Sequence, residues 1–198
     1  MNRLHHWYCN REKWKRHVRE DLVPSTLDGL ELGSDALEVG PGFGPATEVL
    51  AQRVARLTAL ELDPSLAEPL RERLGDRVEI VDGDGTAMPF EDARFSSVAC
   101  FTMLHHVPSV AAQDRLFSEA CRVLRPGAPF AGSDSTGRGI AFALLHVGDT
   151  KVLVDPGRLD RRLAAAGFED VEVSSDRDTI RFRARRPERL SFKAVKRG

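Results

Sequence analysis

The 198-residue sequence has few cysteines, one tyrosine, almost no net charge and no long hydrophobic run. Its three cysteines are odd in number and show no Cys-x-x-Cys spacing, so we expect neither a disulfide framework nor a metal site. The formal net charge of −1 provides no overall field for nucleic acid. No apolar run reaches the length of a membrane span, and residues 1–7 lack the apolar core of a secretory signal. These absences favour a soluble, cytoplasmic protein with one substantial domain.

Basic residues nevertheless concentrate at the two ends of the chain. A solvated face and a frayed tail explain these clusters better than a groove for RNA. We therefore expect residues 187–198 to form a basic tail. The clustered residues are Arg11, Lys13, Lys15, Arg16 and Arg19 near the start, and Arg181, Arg183, Arg185, Arg186, Arg189, Lys193, Lys196 and Arg197 near the end.

The most informative stretch of the sequence runs from Asp35 to Ala51. Its apolar start is typical of a buried parallel strand, three glycines at alternate positions follow, and a helical period comes next. We interpret this order as strand, glycine turn and helix. Glycines leave the main chain bare, so a ligand can lie against it while the start of the helix offers unpaired N–H groups. The residues are Ala36, Leu37 and Val39, then Gly40, Gly42 and Gly44, then Ala46, Val49, Leu50 and Val54.

A second predicted strand ends in an acidic residue. Residues 57–63 include Glu61 about twenty positions beyond Gly40, where a nucleoside-binding fold places a carboxylate for the ribose hydroxyls. A dinucleotide-binding dehydrogenase is the competing interpretation of the glycine turn. Its spacing is Gly-x-Gly-x-x-Gly, whereas here the third glycine comes one residue sooner and Pro45 follows it.

Strands and helices alternate through most of the chain. This alternation predicts a mainly parallel sheet covered on both faces. Asp63 should cap the helix 64–74, in which Pro69 predicts a kink or a late start. Two alternating strands near the end predict an antiparallel hairpin that closes one sheet edge. The other predicted strands are 78–81, 97–101, 129–133, 171–173 and 179–183, and the other helices are 110–124 and 159–166.

Residues 1–34 precede the sheet and contain both tryptophans and the single tyrosine, at Trp7, Tyr8 and Trp14. We predict a helix from Arg11 to Asp21 that is closed by Pro24. These aromatic residues could cap the core or fold over a cofactor as a lid, and the sequence leaves both open.

Five ordered motifs resemble those of class I S-adenosylmethionine-dependent methyltransferases of the small methyltransferase-11 or UbiE-like type. The resemblance covers about residues 35–185, and we place the domain at 35–186. It implies a single Rossmann-like, doubly wound, mostly parallel seven-stranded sheet with an antiparallel C-terminal strand. One departure is Phe95-Ser96, where the family often has Phe-Asp at the entry of strand four. The motifs are Glu38–Gly44, Glu61, Asp84–Thr86 with Met88–Phe90, Leu104–Val107 and Arg122–Gly127.

The resemblance also implies the cofactor, S-adenosyl-L-methionine, with S-adenosyl-L-homocysteine as its product. The turn Gly40, Pro41, Gly42, Phe43 and Gly44 would face the methionine part, and Glu38 would brace both the turn and the amino group. Glu61, with Leu62 beside it, would take the ribose hydroxyls. Asp84, Gly85 and Thr86 would hold the adenine edge, or Asp84 would only cap its turn. Phe101 and Thr102 would approach the sulfonium.

Methyl transfer from a sulfonium can rest on alignment alone, and a base is needed only if the acceptor loses a proton. The candidate bases are His105 and His106, followed by Asp134 and His146. Alternatively, one histidine of the pair caps the next helix and the other packs. Residues 137–146 are glycine-hinged and then apolar, so they would close over the acceptor or form a short buried helix.

The expected acceptor is a small apolar or aromatic molecule, with oxygen, nitrogen or carbon as the accepting atom. Nucleic acid is disfavoured because Phe101–Leu104 replace the Asn-Pro-Pro-aromatic signature of enzymes that methylate base nitrogens. Two alternatives stay open: a non-catalytic module that binds S-adenosylmethionine, and an RNA methyltransferase that uses the basic ends. Either a monomer or a homodimer is compatible with the sequence.

Overall fold

The computed structural model describes residues 3–138, 142, 147–148 and 150–188. The candidate base His146 lies outside the described residues, as do most of the segment 137–146 and residues 189–198 of the predicted basic tail. Within the described part, no helix combines the length and apolarity needed to cross a membrane.

Seven strands form one sheet in the order β3-β2-β1-β4-β5-β7-β6, and this confirms the predicted fold class. Strands β1 to β5 pair in parallel, whereas β7 runs antiparallel to β5 and β6. The last two strands form the predicted hairpin at the sheet edge. The strands are β1 Asp35–Val39, β2 Arg56–Glu61, β3 Glu79–Asp82, β4 Ser97–Phe101, β5 Pro129–Ser135, β6 Glu169–Ser175 and β7 Thr179–Arg185.

Helices fill the connections on both faces of the sheet. Asp63 caps α5 through a bond from the Ser65 amide to its Oδ1 (2.9 Å), as predicted. The helices are α1 Arg3–Cys9, α2 Glu12–His17, a π-helix Val18–Leu22, α3 Val23–Thr26, α4 Pro45–Leu50, α5 Pro64–Leu74, a 3₁₀ helix Leu104–His106, α6 Val110–Val123 and α7 Pro156–Ala165.

Two helix predictions are wrong in their details, and one alternative of a third is excluded. Pro24 does not close the N-terminal helix, because it occupies the first turn of α3, where a missing N–H costs no intrahelical bond. Helix α5 begins at Pro64 and continues through Pro69, which excludes the late start, while the kink stays a prediction. Helix α4 ends at Leu50, which leaves Val54 outside it.

The central strands are buried along their whole length, which explains their continuous apolar sequences. One face packs against α6, α7 and the hairpin, with Phe117, Phe130 and Phe182 at its centre. On the opposite face, Val18, Leu22, Val23, Leu27 and Leu32 pack with residues of β1, β2 and β4. The second half of the N-terminal segment is therefore part of the core.

Ser96, the position that departs from the family pattern, holds the entry of β4. The Asp35 amide donates to Ser96 Oγ at 2.8 Å, and this hydroxyl lies 2.8 Å from the Leu32 carbonyl oxygen. A short hydroxyl side chain thus links β1 and β4 at their first residues.

Candidate functional site

The sheet topology creates a crevice at the carboxyl ends of β1 and β4. Strand β1 continues to β2 on one side, while β4 continues to β5 on the other. Loops that leave neighbouring strands in opposite directions open a space between them, which is where ligands bind in open α/β sheets.

The glycine turn after β1 exposes its main chain to this crevice. Gly40, Gly42 and Gly44 have φ angles of +69°, +56° and +80°, a region that favours glycine. A Cβ at Gly42 would meet no atom within 4 Å, whereas one at Gly40 would lie 3.0 Å from Met103 Cγ. The turn is therefore packed against Met103 at Gly40, whereas at Gly42 its main chain is not covered by other atoms.

Glu61 connects the end of β2 to the glycine turn. Its Oε2 accepts a hydrogen bond from the Gly42 amide and its Oε1 accepts one from the Asp63 amide, both at 3.0 Å. Glu61, rather than Glu38, thus supplies the hydrogen bond to the main chain of the turn. Each carboxylate oxygen keeps a lone pair for a further donor. The next side chain, Leu62, is 68% exposed at the rim.

Glu38 is a buried acid in the middle of the sheet. It is 1% exposed, and its Oε2 has no hydrogen-bond partner among the residues that the structure describes. Burial raises the pKa of Glu38 to about 8, and the charge of Glu61 contributes to the rise. Burial also raises the pKa of the Cys100 thiol, with smaller effects from the charges of Asp134 and Glu38.

The turn after β3 contributes Asp84, Gly85 and Thr86. Asp84 Oδ1 accepts a hydrogen bond from the Thr86 amide at 2.7 Å, which is the turn-capping geometry. A Cβ on Gly85 would lie 2.9 Å from Val39 Cγ1, so this turn packs closely on β1. One oxygen of Asp84 is engaged in its own turn, and the side chain is exposed.

A buried acid–histidine pair lies where β4 and β5 end. His105 Nδ1 is 2.5 Å from Asp134 Oδ1, and the His105 amide donates to Asp134 Oδ2 at 2.9 Å. A carboxylate can only accept, so Nδ1 carries the proton of this hydrogen bond. The His106 ring lies 4.1 Å from the His105 ring. Ser109 caps α6, so the alternative that a histidine caps it is wrong.

Gln113, a residue without a motif in the sequence, ties the segment just before His105 to residue 152. Its Nε2 donates to the carbonyl oxygens of Leu104 (2.9 Å) and Val152 (2.7 Å). Arg162 in turn donates to Gln113 Oε1 at 2.9 Å. The sequence did contain one signal for its role, a polar residue on the buried face of α6, because a buried amide side chain needs hydrogen-bond partners.

A single cavity of about 930 Å³ joins these features. It is lined by every predicted cofactor residue except Gly44 and by His105, His106 and Asp134. Gly44 instead caps α4, where a Cβ would lie 2.4 Å from Leu70 Cδ2. Further lining residues are Tyr8, Trp14 and His17 from the N-terminal segment, and Met103, Arg115, Arg138, Phe142, Asp178 and Thr179.

The hairpin reaches the cavity through its register. Thr179 pairs with Ser135 across β5 and β7, which brings Thr179 and its neighbour Asp178 to the carboxyl end of β5. Spacing in the sequence could not reveal this contribution, because more than forty residues separate the paired strands.

The first helices lie over the glycine turn. The His6 ring packs edge-on against the Phe43 ring at 4.6 Å, and Lys15 Nζ lies 6.0 Å from the same ring. Arg73 of α5 also binds the turn, because its guanidinium group donates to the Phe43 carbonyl oxygen at 2.7 Å. The turn is thus held from two sides while the Gly42 main chain faces the cavity.

Residues 37–131 of this chain match the protein family described as Methyltransferase domain. A probable S-adenosylmethionine-dependent methyltransferase of Mycolicibacterium smegmatis is 30% identical over 157 residues, covering 76% of this chain and 58% of that protein. The ubiquinone biosynthesis O-methyltransferase of Xanthomonas oryzae pv. oryzae (strain PXO99A) is 34% identical over 137 residues, covering 66% and 54%.

A third relative is the ribosomal RNA small subunit methyltransferase A of Cupriavidus pinatubonensis. It is 33% identical over 91 residues, covering 44% of this chain and 33% of the relative. The chain therefore spans between a third and three fifths of the length of these relatives.

Among solved structures, a Haemonchus contortus phosphoethanolamine N-methyltransferase 2 in complex with S-adenosyl-L-methionine shares the fold. Its TM-score is 0.71 at 14% identity, covering 92% of this chain and 60% of that one.

Proposed function

We propose that this chain is a class I S-adenosylmethionine-dependent methyltransferase and that it transfers the methyl group of S-adenosylmethionine to a small apolar or aromatic molecule. The observation that carries the proposal is the single cavity. It joins the glycine turn and the acids of the motifs to the His105–Asp134 pair, so a cofactor and an acceptor can meet in one space.

The residues present fit the cofactor. An open main chain at Gly42 allows close approach of a ligand, and Glu61 retains acceptor capacity for hydroxyl groups. We assign the purine edge to Asp84 and the Gly85 main chain, which line the cavity, and its face to the exposed apolar side chain of Leu62. S-adenosylmethionine supplies an activated methyl group, so the protein needs mainly to align the acceptor.

The cavity also has room for an acceptor. Binding sites for one small ligand usually measure about 300–1,000 Å³, and this cavity lies near the upper end of that range. Tyr8, Trp14 and Phe142 line the part of the cavity outside the motifs and favour an apolar or aromatic partner. This space supports an enzyme over a module that only binds the cofactor.

His105 is the proposed general base for acceptors that lose a proton. Asp134 fixes the ring through Nδ1 and stabilises the charge that the ring gains. Because His105 lines the cavity, it can receive a proton from an acceptor held there. His106, which packs against it, orients the ring and lines the same wall.

The N-terminal segment has two proposed roles. Residues 18–34 act as a cap, since the Arg183 guanidinium Nε donates to the Thr26 carbonyl oxygen at 2.9 Å and five apolar residues pack in the core. Residues 3–17 act as a lid over the cofactor, through their contacts with Phe43 and the cavity.

The basic cluster of β7 is used within the fold, which argues against an RNA acceptor. Arg181 pairs with Asp176 at 2.8 Å, and Arg183 binds the end of α3. Arg185 donates to the Gly127 carbonyl oxygen at 3.0 Å, and Arg186 donates to the Arg122 carbonyl oxygen at 2.8 Å. Guanidinium groups engaged in this way are poorly available for phosphates.

Radiolabel transfer tests the proposal. The protein is incubated with S-adenosylmethionine that is tritiated in its methyl group. One reaction also contains a bacterial metabolite extract, and a second contains total RNA. Label should enter a small organic product and not RNA. His105→Gln should reduce transfer to a hydroxyl acceptor, whereas Glu79→Gln, outside the cavity, should not. Label in RNA alone would contradict the proposed acceptor, and no product despite tight cofactor binding would favour the binding module.

A further inference from the structure

We infer that Glu38 exchanges a proton with solvent when the cofactor binds: its carboxyl group is neutral in the empty cavity and ionised beside the ammonium group of the bound cofactor. This inference rests on the proposed function, because it requires that the cavity bind S-adenosylmethionine or its product. Release of a proton is then part of the binding equilibrium, so the affinity for the cofactor depends on pH.

The position of Glu38 makes an ionised side chain costly in the empty protein. In the sheet it pairs with Ala59 of β2 and Ala99 of β4, and it is almost completely buried. Its Oε2 has no hydrogen-bond partner in the described part of the chain, yet Glu38 lines the cavity. A carboxylate with one buried, unpartnered oxygen pays a large desolvation cost, so the neutral acid is favoured.

The surrounding groups reinforce this preference. Glu61 of β2 acts on it as a like charge, and the Cys100 thiol of β4, whose pKa is raised by burial, offers it no positive charge. Helix α4 contributes the Thr47 hydroxyl, which partly opposes the rise in pKa. Among the described residues, no ion pair joins Glu38 to an arginine, lysine or histidine, although Arg115 and Arg138 line the same cavity. A ligand bound in this cavity can bring a positive charge to the acid.

The amino-acid part of the cofactor carries such a charge as an ammonium group. An opposite charge within a few ångströms favours the ionised acid. The O–H bond of the Glu38 carboxyl group then breaks, its proton passes to the buffer, and the carboxylate becomes an acceptor for the ammonium N–H groups. Charge balances, since one proton leaves as one positive group enters.

Calorimetric titration with S-adenosylhomocysteine at pH 7, repeated in phosphate and in Tris, measures the protons released. With a pKa of about 8, about nine tenths of Glu38 is protonated in the empty site. The α-amino group of the ligand, with a pKa of about 7.8, takes up about 0.1 proton. The wild-type protein should therefore release about 0.8 proton per ligand. Its affinity should fall about twentyfold from pH 8 to pH 6.

Three variants make the result specific. Glu38→Gln should bind without releasing a proton, and Glu38→Asp should restore the release. Asp35→Asn changes a buried acid of the same strand outside the cavity and should leave the release intact. If wild-type binding showed no buffer dependence, or Glu38→Gln kept the release, the inference would be wrong while the proposed function would stand. If the wild type bound no ligand, both would fail.

Discussion

Replacing Glu61 by glutamine should weaken both the fold and cofactor binding, because this carboxylate has two separable roles. It accepts hydrogen bonds from the Gly42 and Asp63 amides at 3.0 Å, and glutamine can accept only one of them with full geometry. Hydrogen bonds to charged groups contribute about 1.5–3 kcal/mol each. We expect a loss of about 2 kcal/mol in the free energy of unfolding, or about 4–8 °C in Tm for a chain of this size.

Affinity for S-adenosylhomocysteine should fall further, by about ten- to a hundredfold, since ribose hydroxyls lose a charged acceptor. Thermal unfolding without ligand and calorimetric titration with it separate the two effects. Glu79→Gln is the matched control, because Glu79 binds Arg94 and Thr58 on the surface of β3. A Glu61→Gln variant with lower Tm and unchanged affinity would show that Glu61 only braces the turn.

Three further predictions concern other parts of the structure. Gly42→Ala should lower the free energy of unfolding by about 1–2 kcal/mol, because the φ angle at this position is positive. It should also weaken S-adenosylhomocysteine binding, since the new methyl group enters the cavity, and an unchanged dissociation constant would place the ligand elsewhere. The pKa of Glu38 is raised from about 4.5 in the unfolded chain to about 8 in the folded protein, so its contribution to stability is lost as the pH rises toward 8. Between pH 5 and pH 8 the free energy of unfolding of the wild type should therefore fall by roughly 3–4 kcal/mol relative to that of Glu38→Gln. An equal difference between the two proteins in denaturant unfolding at both pH values would contradict this. Arg183→Met should loosen α3 and accelerate amide exchange in residues 18–27 while exchange in β1 is unaffected; equal protection in both proteins would show that the Thr26 contact does not fasten the cap.

Much of the sheet could be predicted from the sequence, because its signals are local. Apolar runs mark β1 and β4, glycines at alternate positions mark the turn, and Asp63 followed by Pro64 marks the start of α5. The resemblance to class I methyltransferases was confirmed by the family match, and the hairpin by its pairing. Roles assigned to individual site residues stay predictions.

Other features depend on distant parts of the chain and had no local signal. Helical structure continues to Thr26 because Pro24 lies in the first turn of α3 and Val18, Leu22 and Val23 pack on the sheet. Thr179 reaches the cavity only through its pairing with β5. The raised pKa of Glu38 follows from its burial, which depends on packing that the sequence alone does not show.

The central claim is that the glycine turn and the acids beyond it hold S-adenosylmethionine in the cavity. A crystal structure of the protein soaked with S-adenosylhomocysteine tests it most directly. We expect density along the Gly40–Phe43 main chain, with the ribose at Glu61 and the adenine beside Asp84 and Gly85. Density at another surface, or an empty turn at saturating ligand, would contradict it.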